Sequence, residues 1–230
     1  MIAHQMKSRP FLSTLAAVSM AAVLALGGCT KPGTGGESAT NEKPEAAAQP
    51  STPAAELPPM KENAVYVKLT TTMGEIVLEL DPENAPISTE NFLAYVDAGS
   101  YDGTIFHRVI DGFMIQGGGF EPDMTQRPTR EMIKNEWQNG LKNDKYTIAM
   151  ARLGNQPDSA SSQFFINVGN NSFLDQPRDG AGYAVFGKVY SGEDVVDAIS
   201  LVDTGNKGGH GDVPIEPVIV TRAERVESDG

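Results

Sequence analysis

The fifteen residues 106–120, F-H-R-V-I-D-G-F-M-I-Q-G-G-G-F, place one cation and one amide within a dense apolar set. The cation is Arg108 and the amide is Gln116. Strand-like apolar runs flank a turn at Asp111-Gly112, and three glycines after Gln116 let the backbone bend sharply. A fixed guanidinium beside an apolar, aromatic pocket suits a ligand with an apolar ring next to a carbonyl group. An X-Pro peptide bond has that shape.

Two further blocks follow in the same order along the chain. Residues 147–175 read T-I-A-M-A-R-L-G-N-Q-P-D-S-A-S-S-Q-F-F-I-N-V-G-N-N-S-F-L-D, and residues 182–189 read G-Y-A-V-F-G-K-V. Together the three blocks closely resemble the cyclophilin-type peptidyl-prolyl cis/trans isomerases, from about Val65 to about Val226. Ordinary β-core runs are the alternative reading, but three such motifs in the right order over one domain argue against it.

Hydrophobic periodicity predicts the elements that must position these residues. Period-two alternation predicts a hairpin of strands 65–69 and 75–80, and a helical period predicts a helix over 86–98. Further short strands are expected at 104–109, 113–116, 146–151, 163–168 and 184–189, a second helix at 192–201 and a final strand at 218–226. Many short strands with two helices favour a closed barrel, although periodicity alone does not separate a barrel from a sandwich. The resemblance implies a mainly β fold, a closed eight-stranded antiparallel barrel capped by two α-helices.

The chemistry of such an isomerase needs neither a proton transfer nor a cofactor. Amide resonance sets a barrier of about 18–20 kcal/mol for rotation of the peptide bond, and a site that stabilises the twisted bond lowers it. The prolyl nitrogen gains a free lone pair as resonance breaks, so a permanent cation aimed at it is the group required. By position, Arg108 resembles the catalytic arginine of the family.

The resemblance implies roles for the remaining site residues. Gln116 is expected to hydrogen-bond the substrate backbone, with Gln163 as a supporting polar group. The loop at Ala151 and Arg152 is expected to pair with the peptide that precedes proline. The proline pocket is expected to have Phe113, Met114, Phe165 and Leu174 as walls, Phe173 as rim and Tyr183 as a further contact.

Three positions depart from the best-known eukaryotic pattern. Phe173 stands where those proteins carry a tryptophan, Tyr183 where they carry a histidine, and Arg152 where they carry an asparagine. The first change removes an indole N–H donor at the pocket rim. We therefore expect weak cyclosporin binding and retained turnover of small peptides. The same substitutions resemble the periplasmic cyclophilins of Gram-negative bacteria.

Other residues that could do chemistry are assigned structural roles. His107 adjoins Arg108, but isomerisation needs no base and neighbouring strand positions face opposite ways. His210 lies in a Gly-rich stretch, 204–213, which is interpreted as a solvent-exposed loop; a metal site there with Asp203 or Asp212 is considered and set aside. No metal-ligand cluster is predicted. Asp158-Ser159 with His107 lacks the elbow motif of a hydrolase.

The first 28 residues resemble a bacterial lipoprotein signal peptide. Lys7 and Arg9 form a positive region, residues 11–26 are apolar, and residues 26–29, L-G-G-C, resemble a lipobox. Cys29, the single cysteine, is the predicted lipidation site, so no internal disulfide is expected. A transmembrane anchor and an ordinary cleaved signal with a chance cysteine are the alternatives. Thr30, which is not aspartate, favours an outer-membrane anchor facing the periplasm over an inner-membrane one.

The next segment, residues 29–63, is predicted to be a disordered tether rich in Pro, Ala and Glu. Such a stretch cannot bury enough apolar surface to offset its ordering entropy. Residues 64–227 then form the predicted isomerase domain. The chain carries 18 basic and 30 acidic residues, a net charge of −12 that falls to about −14 without Lys7 and Arg9. This acidity argues against nucleic acid and anionic lipid surfaces as partners.

The function predicted from the sequence is a membrane-tethered isomerase for proline-containing, unfolded exported proteins. The runner-up is a module that binds a proline segment of a partner, with incidental catalysis. Arg108 beside Gln116 and Phe113 favours the enzyme, because binding alone would not demand the cation. A general holdase chaperone is a weaker alternative, since no run predicts a large exposed apolar surface.

Overall fold

The structure is a computed structural model that describes residues 59–60, 64–177 and 179–226. The predicted signal peptide, Cys29 and the tether lie outside the described residues, apart from Pro59 and Met60. Within the described ranges, no helix is both long enough and apolar enough to cross a membrane.

The described chain folds into eleven strands and two α-helices. The strands are β1 Val65–Thr71, β2 Gly74–Leu80, β3 Thr104–Ile105, β4 Arg108–Ile110, β5 Met114–Gly117, β6 Thr147–Met150, β7 Phe164–Asn167, β8 Val185–Ser191, β9 Thr204–Lys207, β10 His210–Pro214 and β11 Ile219–Val226; the helices are α1 Pro86–Asp97 and α2 Glu193–Ser200. The predicted helices and strands are confirmed, with ends displaced by two residues at most, except that the strand predicted over 104–109 is divided into β3 and β4.

Nine of these strands form one antiparallel sheet in the order β3-β11-β1-β2-β8-β6-β7-β5-β4. The sheet is an open half-barrel, so the prediction of a closed eight-stranded barrel is wrong. Its two edge strands, β3 and β4, follow each other in the chain and no ladder joins them. The backbone changes partner between them, because Phe106 donates its N–H to Val218 while His107 donates its N–H to Gln116, both at 3.0 Å. The split therefore lies immediately before Arg108.

The two faces of the sheet bury different sets of side chains. Phe164 and Ile166 of β7 belong to the large core, where Phe92 of α1 packs with its ring centroid 5.4 Å from that of Phe164. Phe165 points to the other face and joins a smaller apolar cluster with Met114. Because strand side chains alternate with period two, a single strand supplies both the core and the second face.

Helix α1 begins at Pro86 and receives its N-terminal cap from a distant residue. A helix leaves its first N–H groups without intrahelical partners. Glu136 accepts the N–H of Ile87 at 3.0 Å and that of Ser88 at 2.8 Å, and its negative charge suits the helix N-terminus. Ile87 itself is 38% exposed, so the start of the helix lies at the surface.

Strands β9 and β10 form a separate hairpin where the sequence analysis expected a loop. The glycines of this stretch favoured the loop interpretation. The turn itself consists of Gly208 and Gly209, whose φ angles are +58° and +83°. Two consecutive positive φ angles are the requirement of a two-residue hairpin turn, which Gly-Gly meets at little steric cost. His210, at the start of β10, is exposed as predicted.

Candidate active site

Nine of the eleven residues predicted to act on substrate line one small pocket on the second face of the sheet. The pocket has a volume of about 140 Å³ and is lined by Arg108, Phe113, Met114, Gln116, Ala151, Arg152, Phe165, Leu174 and Tyr183. The other two, Phe173 and Gln163, lie next to it through contacts given below. A larger cleft of about 630 Å³ lies elsewhere, around Glu79 and Lys188, and contains none of these residues.

Strand register places the polar side chains of the pocket next to its apolar ones. Arg108 on β4 is directly opposite Gln116 on β5, and Gln116 is directly opposite Phe165 on β7. Directly opposed residues of antiparallel strands place their Cβ atoms about 4.5–5.5 Å apart on one face. A guanidinium, an amide and an aromatic ring therefore stand side by side across three strands.

The Arg108 side chain lies at the mouth of the pocket. It is 41% exposed, and its guanidinium carbon is 5.9 Å from the centroid of the Phe113 ring. Its ionic partner in the described chain is Asp212 of β10, whose carboxylate oxygen is 3.9 Å from Nε. An arginine in this half-exposed setting keeps its charge and offers several N–H donors in a planar fork.

Gln116 is held in one orientation by Gln163. The Gln116 amide donates from Nε2 to Oε1 of Gln163 at 2.8 Å. The opposite atom of the same amide, Oε1, is an acceptor that a peptide N–H could use. Gln163 thus supports Gln116 and does not line the pocket itself.

His107 lies behind this pair and takes no part in the pocket lining. The ring is buried, and its centroid is 4.6 Å from that of Phe120. Burial is the largest cause that lowers the pKa of His107 from 6.5 to about 4, and the positive charge of His210 is the next. Hydrogen bonding to Gln163 acts in the opposite direction and raises this pKa. The imidazole is therefore neutral near pH 7. Its Nδ1 has no hydrogen-bond partner within the described residues.

Aromatic and aliphatic side chains enclose the rest of the pocket. Met114, Phe165 and Leu174 are almost fully buried, whereas Phe173 is 44% exposed at the rim. Phe173 stacks on Phe113, with ring centroids 5.6 Å apart. These walls form an apolar slot with one open side.

Arg152 also lines the pocket and is held by the backbone of a neighbouring segment. Its guanidinium donates to the carbonyls of Gly182, at 3.2 Å, and Ala181, and it stacks over the Tyr183 ring at 4.6 Å. Ala151 donates its N–H to the carbonyl of Gln163 at 3.0 Å. Because this N–H is already engaged, a peptide that paired with Ala151 would bond to the Ala151 carbonyl.

Two polar neighbours of the pocket were missed by sequence reasoning. Asp212 reaches Arg108 only because β9 and β10 form a hairpin, which the Gly208-Gly209 pair could have indicated. Asn171 donates to the carbonyl of Phe113 at 2.8 Å, and no local sequence signal marks that contact. Cys29, the predicted lipidation site, lies outside the described residues. Those residues contain no group of three His, Cys, Asp or Glu side chains placed to hold a metal ion.

Comparison with known proteins places this pocket in a family. Residues 66–225 match the model of the cyclophilin type peptidyl-prolyl cis-trans isomerases. A peptidyl-prolyl cis-trans isomerase of Streptomyces antibioticus is 59% identical over 161 residues, which cover 69% of this chain and 96% of that protein. Peptidyl-prolyl cis-trans isomerase B of Escherichia coli is 54% identical over 157 residues, 67% of this chain and 95% of that protein.

A solved structure shows the same fold. A cyclophilin type isomerase of Cryptosporidium parvum, crystallised in the presence of the dipeptide Ala-Pro, is 27% identical and superposes with a TM-score of 0.57. The match covers 69% of this chain and 97% of that one.

Proposed function

This chain belongs to the cyclophilin-type peptidyl-prolyl cis-trans isomerases, and we propose that it isomerises X-Pro bonds of exported proteins by a non-covalent mechanism centred on Arg108. The observation that carries the proposal is the alignment of Arg108 and Gln116, opposed on β4 and β5, with the apolar slot beside them.

The apolar slot is the place for the prolyl ring. Phe113, Met114, Phe165 and Leu174 present carbon surface to a ring of similar size. Burial of apolar surface contributes about 25 cal/mol per Å² and holds the ring without restricting rotation about the preceding bond. The isomerase crystallised with Ala-Pro supports a proline-containing ligand for a fold of this kind.

Arg108 is the group that we assign to the twisted bond. As the X-Pro bond rotates out of plane, the prolyl nitrogen becomes a hydrogen-bond acceptor, which it is not in either planar isomer. A donor that binds only this form lowers the barrier rather than the ground state. One oriented donor of this kind is worth about 3–4 kcal/mol. Gln116, fixed by Gln163, accepts from the substrate backbone and sets the register of the ring against Arg108.

The decisive experiment compares isomerisation of a short Ala-Pro peptide by residues 30–230 and by the Arg108→Ala variant. We expect kcat/KM to fall by about two to three decades, because the variant loses the transition-state donor. Arg222→Ala is the matched control, since Arg222 is 66% exposed on β11 and forms only a surface ion pair with Glu224. Equal activity of all three proteins would remove Arg108 from the mechanism, and binding without turnover in the parent protein would favour a proline-binding module.

The proposed location rests on the sequence before the domain. A lipid at Cys29 would anchor the protein to the outer membrane, and the acidic domain would be held away from anionic lipid headgroups. In bacteria that make the full chain, we expect the parent protein to incorporate labelled palmitate and to appear in the membrane fraction. The Cys29→Ser variant should do neither. Labelled parent protein in the inner-membrane fraction would show that the anchor lies in the inner membrane and not in the outer one. Unlabelled parent protein would contradict the lipid anchor.

A further inference from the structure

A directional chain of three buried asparagine amides lies behind the proline slot. Asn171 donates from Nδ2 to Oδ1 of Asn167 at 2.7 Å, and Asn167 donates from Nδ2 to Oδ1 of Asn143 at 3.2 Å. Asn143 then donates from Nδ2 to the Asp175 carboxylate at 2.9 Å. Each amide passes its N–H to the next oxygen, so reversing any one of them would place two oxygens or two N–H groups face to face. We call these four residues the amide relay.

The relay is enclosed in protein along almost its whole length. Asn143 and Asn167 are fully buried and Asn171 is 4% exposed, while Asp175 is half-buried. Thr147 Oγ1 accepts a further bond from Asn167 Nδ2 at 2.9 Å. Buried polar groups left without partners destabilise the fold. The relay therefore has one preferred arrangement, which is anchored at its end by a charged acceptor.

Two members of the relay, Asn171 and Asn143, bond to walls of the slot. Asn171 donates from Nδ2 to the carbonyl of Phe113 at 2.8 Å, and its own carbonyl accepts the N–H of Leu174 at 2.8 Å. Asn143 donates to the carbonyl of Tyr183 at 3.3 Å, and the N–H of Tyr183 donates to the carbonyl of Leu174 at 3.0 Å. Three slot residues, Phe113, Leu174 and Tyr183, thus share one set of hydrogen bonds.

We propose that the amide relay Asn143-Asn167-Asn171-Asp175 is the positioning device that sets the width of the proline slot. This inference rests on the proposed function, in which the slot holds the prolyl ring. None of the four relay residues lines the slot. They act through Phe113, Leu174 and Tyr183, whose backbone they fix.

A buried hydrogen-bond network with a purely structural role would stabilise the fold without bonding preferentially to the residues of one pocket. The contacts of the relay differ, because Asn171 and Asn143 bond to slot walls. In addition, Asp175 lies in the 3-10 turn Ser172–Asp175, which carries Phe173 and Leu174. Loss of Asp175 would free this turn and widen the slot. Small displacements of binding groups lower turnover strongly, up to about a hundredfold for about 1 Å.

The test uses residues 30–230 with Asp175→Ala, and Asp81→Ala as its matched control. Asp81 is also half-buried and accepts the backbone N–H and the side-chain Nδ2 of one asparagine, Asn84, at 3.0 and 2.8 Å. Asp175 accepts the same two groups from Asn143, both at 2.9 Å. The two variants therefore lose the same two kinds of hydrogen bond, a partly buried pair behind the slot and an exposed pair outside it.

Three readouts separate positioning from stability. We expect Asp175→Ala to lower kcat/KM for an Ala-Pro peptide by about tenfold relative to Asp81→Ala, at equal folded fraction. In Asp175→Ala, the ratio of kcat/KM for a proline peptide to that for a peptide with pipecolate, its six-membered analogue, should fall. The reason is that a wider slot admits the larger ring. Hydrogen exchange of the Leu174 and Tyr183 amides should accelerate by about tenfold in Asp175→Ala alone.

A second pair of variants tests the inference if a variant of the first pair fails to fold. Asn171→Ala removes one relay member, and Asn91→Ala removes a comparably buried amide that donates to Ser161. Relay variants that match their controls in ring preference and amide exchange would overturn the inference. Faster exchange with unchanged kinetics would overturn the positioning role as well. An inactive parent protein would contradict the proposed function instead, and amide exchange would still decide whether the relay holds the slot.

Discussion

The carboxylate of Asp212 lies 3.9 Å from Nε of Arg108, across the contact between β10 and β4. Asp212 adopts a left-handed backbone conformation, with φ at +58°, at an irregularity in the pairing of β9 and β10. The pairing is on the Nε side of the guanidinium, which leaves the terminal nitrogens of Arg108 for the slot. Because both side chains are about half exposed, solvent weakens the pair.

Asp212→Asn should therefore change activity only modestly. Exposed ion pairs contribute at most about 1 kcal/mol, so we expect kcat/KM to fall by no more than about fivefold at low salt. The effect should shrink as ionic strength rises, because salt screens exposed charges. Peptide isomerisation measured at two salt concentrations checks this. A loss as large as that of Arg108→Ala would show that Arg108 depends on Asp212 for its position.

Arg108→Lys should lose most of the activity although it keeps the charge. A lysine ammonium is a strongly hydrated point charge on a flexible stem, whereas the guanidinium is a planar fork that is already oriented. We expect kcat/KM to fall by at least about tenfold and the free energy of unfolding to change by less than about 0.5 kcal/mol, since the site is half exposed. Kinetics and urea unfolding of the same preparation measure both. Full activity of the lysine variant would mean that charge alone is enough.

His107 should make the protein less stable in mild acid. Its pKa is lowered to about 4 in the folded protein and is 6.5 when unperturbed, chiefly because of burial. Between these values the unfolded chain binds the extra proton, so the contribution is fully present above pH 6.5 and is lost as the pH falls towards 4. The loss amounts to about 3 kcal/mol.

The free energy of unfolding of His107→Gln, measured from pH 4 to 7, should vary less steeply than that of the parent protein. His210→Gln serves as the control, and most of the slope should survive there because burial of His107 is the larger cause of the shift. Parallel slopes for all three proteins would contradict a neutral, buried His107.

Phe173→Trp should strengthen cyclosporin binding. Phe173 is 44% exposed at the slot rim and stacks on Phe113, so an indole fits there and adds an N–H donor that phenylalanine lacks. One added hydrogen bond is worth about 0.5–1.5 kcal/mol, or up to about tenfold in Kd. Calorimetric titration of both proteins measures the change, with Ala-Pro turnover as a check that the slot is intact. An unchanged Kd would mean that the rim does not limit cyclosporin affinity.

The short-range features of this protein follow from local sequence patterns. Period-two alternation located β1 and β2, and the helical period with Pro86 located α1, because side-chain direction repeats within a few residues. The motif around Arg108 and Gln116 identified the family, and a match over residues 66–225 confirms it. The same alternation puts Phe164 in the core and Phe165 in the slot.

The tertiary structure alone decided what depends on contacts between distant segments. The change of backbone partner between Phe106 and His107 opens the sheet that the sequence analysis expected to be closed. The ion pair of Arg108 with Asp212 and the bond of Asn171 to Phe113 join residues 104 and 58 positions apart. Local propensity carries no information about such pairs, because their geometry is fixed only when the sheet brings the segments together. Nine residues that the sequence predicted to act on substrate line this one slot, and their roles stay predictions, while long-range hydrogen bonding decided how they are held.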